Sequence, residues 1–128
     1  MIQKTILGKA NFQYNGQVVS IKIHKGACIE DTDAIDIIAT SSAISNEDIH
    51  CLLIDIREMK FISSEARNIL AIQSKKNIPA IAIIINSFLQ KSLASLYLKI
   101  SNPKIVTKVF IDEYEAIDWL LNIYNKNN

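Results

Sequence analysis

Two short stretches in which apolar and polar residues alternate open the hydrophobic pattern of the chain. They are Phe12-Gln13-Tyr14 and the run from Val18 to Ile23, and they flank the dipeptide Asn15-Gly16. Asn-Gly favours a tight turn between strands because both residues tolerate a positive φ. The pattern therefore predicts that the chain opens with an antiparallel β-hairpin.

Beyond the hairpin, apolar runs of strand length alternate with segments of helical spacing. The spacing of Ala34, Ile35, Ile38 and Ala39 predicts a first helix over about residues 30–43, and the acidic residues before it suit a helix N-terminus. The same reasoning predicts a strand over 51–56, a helix carrying Ala66, Ile69, Leu70 and Gln73, a strand over 80–85, a third helix from Ser87 to about Ile100, a strand over 105–111, and a last helix after Asp112 carrying Ile117, Leu120, Leu121 and Tyr124.

The predicted order is β-β-α-β-α-β-α-β-α. Successive β-α steps imply right-handed crossovers and a parallel sheet with helices packed on it, to which the opening hairpin adds an antiparallel part. We therefore expect a mixed-sheet α/β fold. No linker or repeat interrupts the pattern, so one domain is expected over residues 1–128, with a core of about 4–124.

Composition limits the function more than it defines it. The 128 residues include 25 isoleucines but only 3 glycines, and the formal net charge is +1. A balanced charge argues against a nucleic-acid partner. The sequence contains neither G-x-G-x-x-G, nor G-x-x-x-x-G-K-[ST], nor G-x-S-x-G, and no nucleophile and base are brought together by spacing. We expect a protein that is not an enzyme and that has no cofactor.

The cysteines and histidines carry little chemistry by their spacing. Cys28 and Cys51 are too few for a disulfide framework, so we expect two reduced thiols with one or both in the core. His24 and His50 have no second ligand at metal-binding distance in the sequence, and we expect ordinary boundary histidines and no metal. No apolar stretch has the length of a signal peptide or a membrane span, which predicts a cytoplasmic protein.

The densest polar segment runs from Asp55 to Glu65, after the strand predicted over 51–56. Ligands of open α/β sheets usually bind beyond the carboxyl ends of the strands. A carboxylate, the guanidinium of Arg57 and the hydroxyls of Ser63 and Ser64 suit an anion or phosphoryl group. The alternative is structural: Asp55 accepts local hydrogen bonds, the charged residues after it are solvated, and one of the two serines is an N-cap.

The predicted third helix has an apolar sector wider than packing on a sheet requires. No Asp or Glu occurs between Ala66 and Ile111, so the surroundings of this helix are basic. One interpretation is a surface for a lipid, a membrane or a partner chain, carried by Phe88, Lys91, Leu96, Leu98 and Lys99. The other is a helix buried between the sheet and a neighbouring helix. Trp119 on the last helix is expected to anchor that helix, and a homodimer interface would use the same residues.

The segment from Cys51 to Leu70 resembles the central strand-loop-helix of STAS domains, the fold of bacterial anti-sigma-factor antagonists. In that family the segment contains Asp-Ser-Ser-Gly, which is phosphorylated on serine by a partner kinase that is also the anti-sigma factor. By position Ser63 matches the first serine and Ser64 the second, so both are candidate phosphorylation sites. Ile62 stands in place of the Asp and Glu65 in place of the Gly, which changes the charge around Ser63.

The end of the chain, from Lys108 to Leu120, is similar to a branch of STAS-like proteins related in name to lipid-binding Sec14 domains. The resemblance covers about residues 10–124 and implies a regulatory or scaffold module that binds a protein partner, such as a kinase or an anti-sigma-like regulator. The residues implied in partner binding are Asp55, Arg57, Glu58, Met59, Phe61, Glu65 and Arg67. The alternative is binding of a lipid or a small apolar ligand at the face of the third helix.

Overall fold

The computed structural model of the chain describes residues 3–72, 77–87 and 105–127. The strands in these ranges are β1 (Gln3–Leu7), β2 (Ala10–Tyr14), β3 (Val18–Ile23), β4 (Cys28–Ile29), β5 (Cys51–Asp55), β6 (Phe61–Ile62), β7 (Ala80–Ile84) and β8 (Val106–Phe110). The helices are α1 (Asp31–Ile44), α2 (Ser64–Ile72) and α3 (Glu113–Asn127).

Across the described residues, six strands form one mixed sheet in the order β1-β2-β3-β5-β7-β8. Strands β1, β2 and β3 are antiparallel neighbours, whereas β3, β5, β7 and β8 run parallel. β4 and β6 form a separate parallel pair in which Cys28 lies opposite Phe61. The mixed α/β fold predicted from the sequence is therefore confirmed.

The predicted hairpin is present between β2 and β3. Gly16 has φ 92°, a conformation that only glycine adopts without strain. The side-chain Oδ1 of Asn15 accepts hydrogen bonds from the backbone N–H groups of Gln17 and Val18, both at 2.9 Å. The turn differs from the predicted one, because only Gly16 of the two residues has a positive φ and four residues separate the paired Tyr14 and Val19. The side chain of Asn15, rather than a positive φ at this residue, stabilises the turn.

The two faces of the sheet carry different cores. On the face that α1 and α2 cover, buried residues such as Phe12, Ile21 and Leu52 pack with Ala34 of α1 and Ala66 of α2. We call this the α1/α2 face. The opposite face, called the α3 face, carries a second core formed by Val18, Cys51, Leu53, Ala80, Ala82, Ile84, Phe110, Ala116, Leu120 and Tyr124. On this face α3 contacts mainly β5, β7 and β8. The part of the face that β1, β2 and β3 form is therefore less covered.

The structure corrects the predicted order at three strands. β1 precedes the hairpin, and the short pair β4 and β6 adds two strands that the predicted order lacks. A two-residue strand such as β4 has no hydrophobic period to detect, and the pattern of β1 (Gln-Lys-Thr-Ile-Leu) is mostly polar. Apart from its first residue, Ser87, the helix predicted from Ser87 to about Ile100 lies outside the described residues.

The helix predicted over about 30–43 is present as α1, but the residues whose spacing predicts it do not all lie on its buried side. Ala34 is buried and Ile35 is exposed, whereas Ile37 and Ser41 are buried. Apolar residues surround most of this helix, so spacing alone does not select one side. Other core predictions are confirmed: Cys51 is a buried free thiol, and Trp119 packs on the core with its ring centroid 5.5 Å from that of Phe110. His50 precedes β5 as a boundary residue, but it is fully buried.

Candidate functional site

The candidate site lies where the parallel strands β3 and β5 end. The carboxyl ends of parallel strands meet at one edge of a sheet, and Lys22 pairs with Asp55 in the register of β3 and β5. The start of α3 reaches the same edge, because β8 runs parallel to its neighbours and α3 follows it. Charged groups from three separate parts of the chain therefore meet there.

Asp55 and Arg57 form the shortest ion pair of the site. Asp55 is only 7% exposed, and its Oδ1 and Oδ2 accept hydrogen bonds from Nε and an Nη of Arg57 at 3.0 and 2.7 Å. The backbone N–H of Arg57 donates to the same Oδ1 at 3.0 Å. Burial raises the pKa of the Asp55 carboxyl, but the hydrogen bonds and charge of Arg57 outweigh it and hold the pKa below 3.8. Asp55 is therefore an ionised, satisfied group that positions Arg57.

Arg57 also connects the loop after β5 to other elements. One Nη lies 3.5 Å from Oε1 of Glu113, at the first residue of α3. Its backbone carbonyl accepts a hydrogen bond from the side-chain amide of Asn86, which follows β7, at 2.9 Å. Beside this group, Nζ of Lys22 lies 3.4 Å from Oε1 of Glu58. The loop that begins at Ile56 is thus held by contacts with α3, with the residue Asn86 after β7 and with β3.

The segment that follows is fixed by backbone hydrogen bonds. The carbonyl of Glu58 accepts from the N–H of Gly26 at 2.8 Å, and the N–H of Lys60 donates to the carbonyl of Ala27 at 2.9 Å. Phe61 is paired with Cys28 in the small sheet, yet its side chain is 53% exposed. A large aromatic side chain therefore faces solvent from a constrained backbone.

The two adjacent serines have different environments. Ser63 is 6% exposed, and its Oγ accepts the backbone N–H of Ala66 at 3.0 Å while its carbonyl accepts that of Arg67. These bonds identify Ser63 as the N-cap of α2. Ser64 is exposed, and its Oγ accepts a hydrogen bond from an Nη of Arg67 at 3.3 Å. The N-cap alternative raised by the sequence thus applies to Ser63.

Comparison with known proteins identifies the family of the chain. The model of the family described as "Domain of unknown function (DUF7793)" matches residues 12–124. The chain belongs to this family. No protein with curated annotation matches the chain.

A solved structure shows the same fold. It is the crystal structure of an uncharacterized protein of the DUF3478 family with a SpoIIAA-like fold, from Shewanella loihica PV-4. The match has a TM-score of 0.58 at 22% identity and covers 94% of this chain and 92% of that one. At this identity the match defines the fold alone, and it confirms that the chain has the STAS-like fold predicted from the segment Cys51 to Leu70.

Several of the predicted site residues reach solvent. Glu58, Phe61, Ser64 and Glu65 are exposed, and Arg67 is partly exposed and contacts Ser64. Three of the predicted partner-binding residues have supporting positions instead. Asp55 is buried, Arg57 is engaged with carboxylates on two elements, and Met59 packs against the core on the α1/α2 face.

Sequence reasoning missed two charged contributors to the site. Lys22 lies one strand before the polar segment, and Glu113 comes far after it in the chain. Both follow from the rule that carboxyl ends of parallel strands meet, since Lys22 is near the end of β3 and Glu113 follows β8. A list of the polar residues at the end of every predicted strand and directly after it would have found them.

The remaining predictions concern lipid binding, metal binding and membrane spans. The proposed lipid-binding residues Phe88, Lys91, Leu96, Leu98 and Lys99 lie outside the described residues. Within residues 3–72, 77–87 and 105–127, no group of three or more His, Cys, Asp or Glu side chains is arranged to hold a metal ion. In the same ranges, no helix has both the length and the apolar character needed to cross a membrane.

Proposed function

We propose that the chain is a regulatory module, not an enzyme, that binds a protein partner through the surface formed by Glu58, Phe61, Ser64, Glu65 and Arg67. We call this the β6–α2 surface. The observation that supports the proposal most strongly is Phe61, a phenylalanine that is 53% exposed although the backbone around it is fixed. The STAS-like fold supports it independently, because the sequence resemblance to that family implies a binding role.

Phe61 has the properties of an interface anchor. Burying a phenylalanine side chain is worth about 1.5–3 kcal/mol, and aromatic residues are enriched where interfaces gain most of their energy. Because Phe61 is already held by the β4–β6 pair, little conformational entropy is lost when a partner covers it. Glu58, Glu65 and Arg67, which are close to it in the sequence and exposed or partly exposed, supply charge of both signs, as in the polar rim of an interface.

We propose Ser64 as the phosphorylation site that regulates this surface. The Ser64 hydroxyl is exposed, lies in the first turn of α2 and already contacts Arg67. A phosphate there gains from the helix dipole and from the guanidinium, and it adds charge to the partner surface. Ser63 offers its hydroxyl less readily, because a kinase would have to break the cap and expose a buried side chain.

The geometry around Asp55 supports a non-enzymatic role. A general acid or base needs a free oxygen or nitrogen within reach of a substrate. Both oxygens of Asp55 accept hydrogen bonds from Arg57, and the low pKa of this carboxyl makes it a weak base. This buried carboxylate is used to hold the loop that carries the β6–α2 surface.

A pair of matched variants tests the docking surface. Phe61→Glu removes the aromatic anchor and adds charge, whereas Val106→Glu makes a comparable change at a residue that is 62% exposed at the other end of the strands. Tagged copies are purified from the cells that naturally make the chain, and co-purified proteins are quantified by mass spectrometry. We expect a protein retained by the wild type and by Val106→Glu but lost with Phe61→Glu. A partner retained equally by both variants, or no reproducible partner of the wild type, contradicts the proposal.

The same purified material tests the phosphorylation site. Peptide mapping should place phosphate on Ser64, and Ser64→Ala should abolish it while Ser63→Ala leaves it in place. Phosphate on Ser63 alone contradicts the assignment to Ser64. Absence of phosphate under every growth condition contradicts regulation by this route but leaves the binding surface to be judged by the Phe61→Glu result.

A further inference from the structure

The sheet has an open edge at β1. β1 pairs with β2 along its whole length, from Gln3 opposite Tyr14 to Leu7 opposite Ala10. In the part of the chain that the structure describes, no strand lies on the other side of β1. The backbone groups that point to that side therefore lack strand partners within the described residues.

The hairpin geometry shows which backbone groups these are. β1 and β2 are joined by the two residues Gly8 and Lys9, and Gly8 has φ 57°, as the first position of a type II′ turn requires. In such a hairpin the closing pair, here Leu7 and Ala10, exchanges both hydrogen bonds, and bonded pairs alternate with non-bonded ones. The N–H and C=O groups of Lys4 and Ile6 consequently point away from β2 toward the open edge.

We propose that β1 pairs with β1 of a second copy of this chain, in antiparallel orientation, so that the two sheets join into one. The twofold axis passes beside Thr5. Lys4 of each copy then lies opposite Ile6 of the other, and the outward N–H and C=O groups of these residues bond across the axis. This is a closed, self-complementary contact, the arrangement found in most homodimers.

Ile6 is the side chain that favours a second copy as the occupant. Its side chain is 72% exposed on the α3 face, where it stands opposite Asn11 in the register of β1 and β2. In the joined sheet the two Ile6 side chains become diagonal neighbours on one face and shield each other from water. The formal net charge of +1 opposes the approach of two copies only weakly.

The opposite edge of the sheet is less suited to the same pairing. The central residue of β8 is Lys108, so an antiparallel pair of β8 strands centred in the same way would bring Lys108 of one copy next to Lys108 of the other. Like charges directly opposite each other destabilise a strand pair. The corresponding central residue of β1 is the neutral Thr5.

The pairing has a consequence for the surface beside it. An open groove of about 530 Å³ lies on the α3 face, with Ile6 on one side, Ile117 of α3 on the other and Ser20 and Lys22 among the residues between them. Because Ile6 belongs to the edge strand, joining two copies along β1 places the two grooves next to each other. The dimer therefore has a continuous strand surface bounded by two copies of α3.

The mass of the chain in solution tests the proposal directly. Sedimentation equilibrium over a wide range of protein concentration should show twice the 14.4 kDa chain mass at high concentration. Ile6→Lys adds a charge next to Lys4 of the second copy and should leave a monomer, whereas the control Val106→Lys at the other edge should still form the dimer. A wild type that stays at 14.4 kDa, or Ile6→Lys and Val106→Lys with equal effects, overturns the proposal.

Amide hydrogen exchange measured by NMR tests the β1 pairing in the wild type, without the charge that Ile6→Lys adds. The amides of Lys4 and Ile6 should exchange quickly in dilute protein and be protected in concentrated protein, because only the dimer gives them partners. Ile6→Pro removes one outward donor without breaking a β1–β2 bond, and it should weaken the dimer while far-UV circular dichroism stays unchanged. Exchange at Lys4 and Ile6 that does not depend on concentration overturns the proposal.

Discussion

Replacing Arg57 with methionine removes the guanidinium from Asp55 but keeps an unbranched apolar side chain at position 57. In the wild type the two oxygens of Asp55 accept hydrogen bonds of 3.0 and 2.7 Å from that guanidinium. In Arg57→Met the carboxylate keeps only the backbone N–H of residue 57 among the bonds at this loop. A charged group that is 7% exposed then loses its counter-charge.

The expected cost follows from the burial of each partner. Breaking a fully buried ion pair costs about 3–5 kcal/mol, and leaving a buried polar group unsatisfied costs about 1–3 kcal/mol. The Arg57 side chain is 38% exposed, so water replaces part of the lost interaction in the variant. We therefore expect the free energy of unfolding to fall by about 2 kcal/mol at neutral pH. With a urea slope of about 1–3 kcal/mol per molar, the unfolding midpoint falls by about 1 M.

The pH dependence gives the sign of the effect. The depressed pKa of Asp55 contributes stability above 3.8, and this contribution is lost as the pH falls through the still lower value of the folded state. In Arg57→Met the lowering by the guanidinium is gone, while burial, the backbone N–H of residue 57 and the charge of Lys22 remain, so the pKa of Asp55 rises relative to the wild type. The variant regains stability relative to the wild type as the pH falls and the carboxyl becomes protonated.

Urea unfolding of both proteins, followed by circular dichroism at a series of pH values, measures this difference. The gap in free energy should be largest at neutral pH and shrink toward acid, and it should lose its pH dependence when both proteins also carry Asp55→Asn. A gap that is the same at every pH would refute the assignment of the effect to the Asp55 charge. A loss well below 1 kcal/mol at neutral pH would refute the magnitude.

Three further experiments test the local structure. Ser63→Ala removes the N-cap of α2 and should cost about 1 kcal/mol in urea unfolding, whereas the exposed neighbour Ser64→Ala should stay within about 0.5 kcal/mol of the wild type. Burial raises the pKa of the Cys51 thiol to about 11, so iodoacetamide at mildly alkaline pH should label Cys28 before Cys51, as peptide mapping would show. Gly16→Ala at φ 92° should lower the free energy of unfolding by about 1–2 kcal/mol.

Each of these expectations has an outcome that contradicts it. Equal losses in Ser63→Ala and Ser64→Ala would remove the distinction between a capping and an exposed serine. Labelling of Cys51 at the rate of Cys28 in folded protein would show that β5 opens or that its thiol is accessible. A neutral Gly16→Ala would mean that the turn relaxes to a conformation that alanine tolerates.

The strands and helices with a clear period were predictable because local pattern decides them. The hairpin at Asn15-Gly16, the strand beginning at Cys51 and the last helix after Asp112 are all present. α1 shows the limit of this reasoning. Its apolar residues occupy several sides, so the choice between Ile35 and Ile37 as the buried residue depends on where the sheet and α2 lie, which spacing does not contain.

The candidate site was predictable in sequence range but not in the role of each side chain. The polar segment from Asp55 to Glu65 is at the surface near the carboxyl ends of β3 and β5, as the fold implied. That Arg57 contacts Glu113, and that Ser63 is buried while Ser64 is exposed, depends on the distance between elements and on the helix start at a single residue. If α2 began one residue later, Ser64 instead of Ser63 would be its N-cap.

Site-specific photo-crosslinking tests most directly whether the β6–α2 surface binds a protein. A benzophenone amino acid is placed at Phe61 in one copy and, as the control, at the similarly exposed Val106 in another, and the cells that naturally make the chain are irradiated. We expect a discrete crosslinked product containing a second protein at Phe61 and none at Val106. The same product from both positions, or no product at Phe61 under any growth condition, would contradict it.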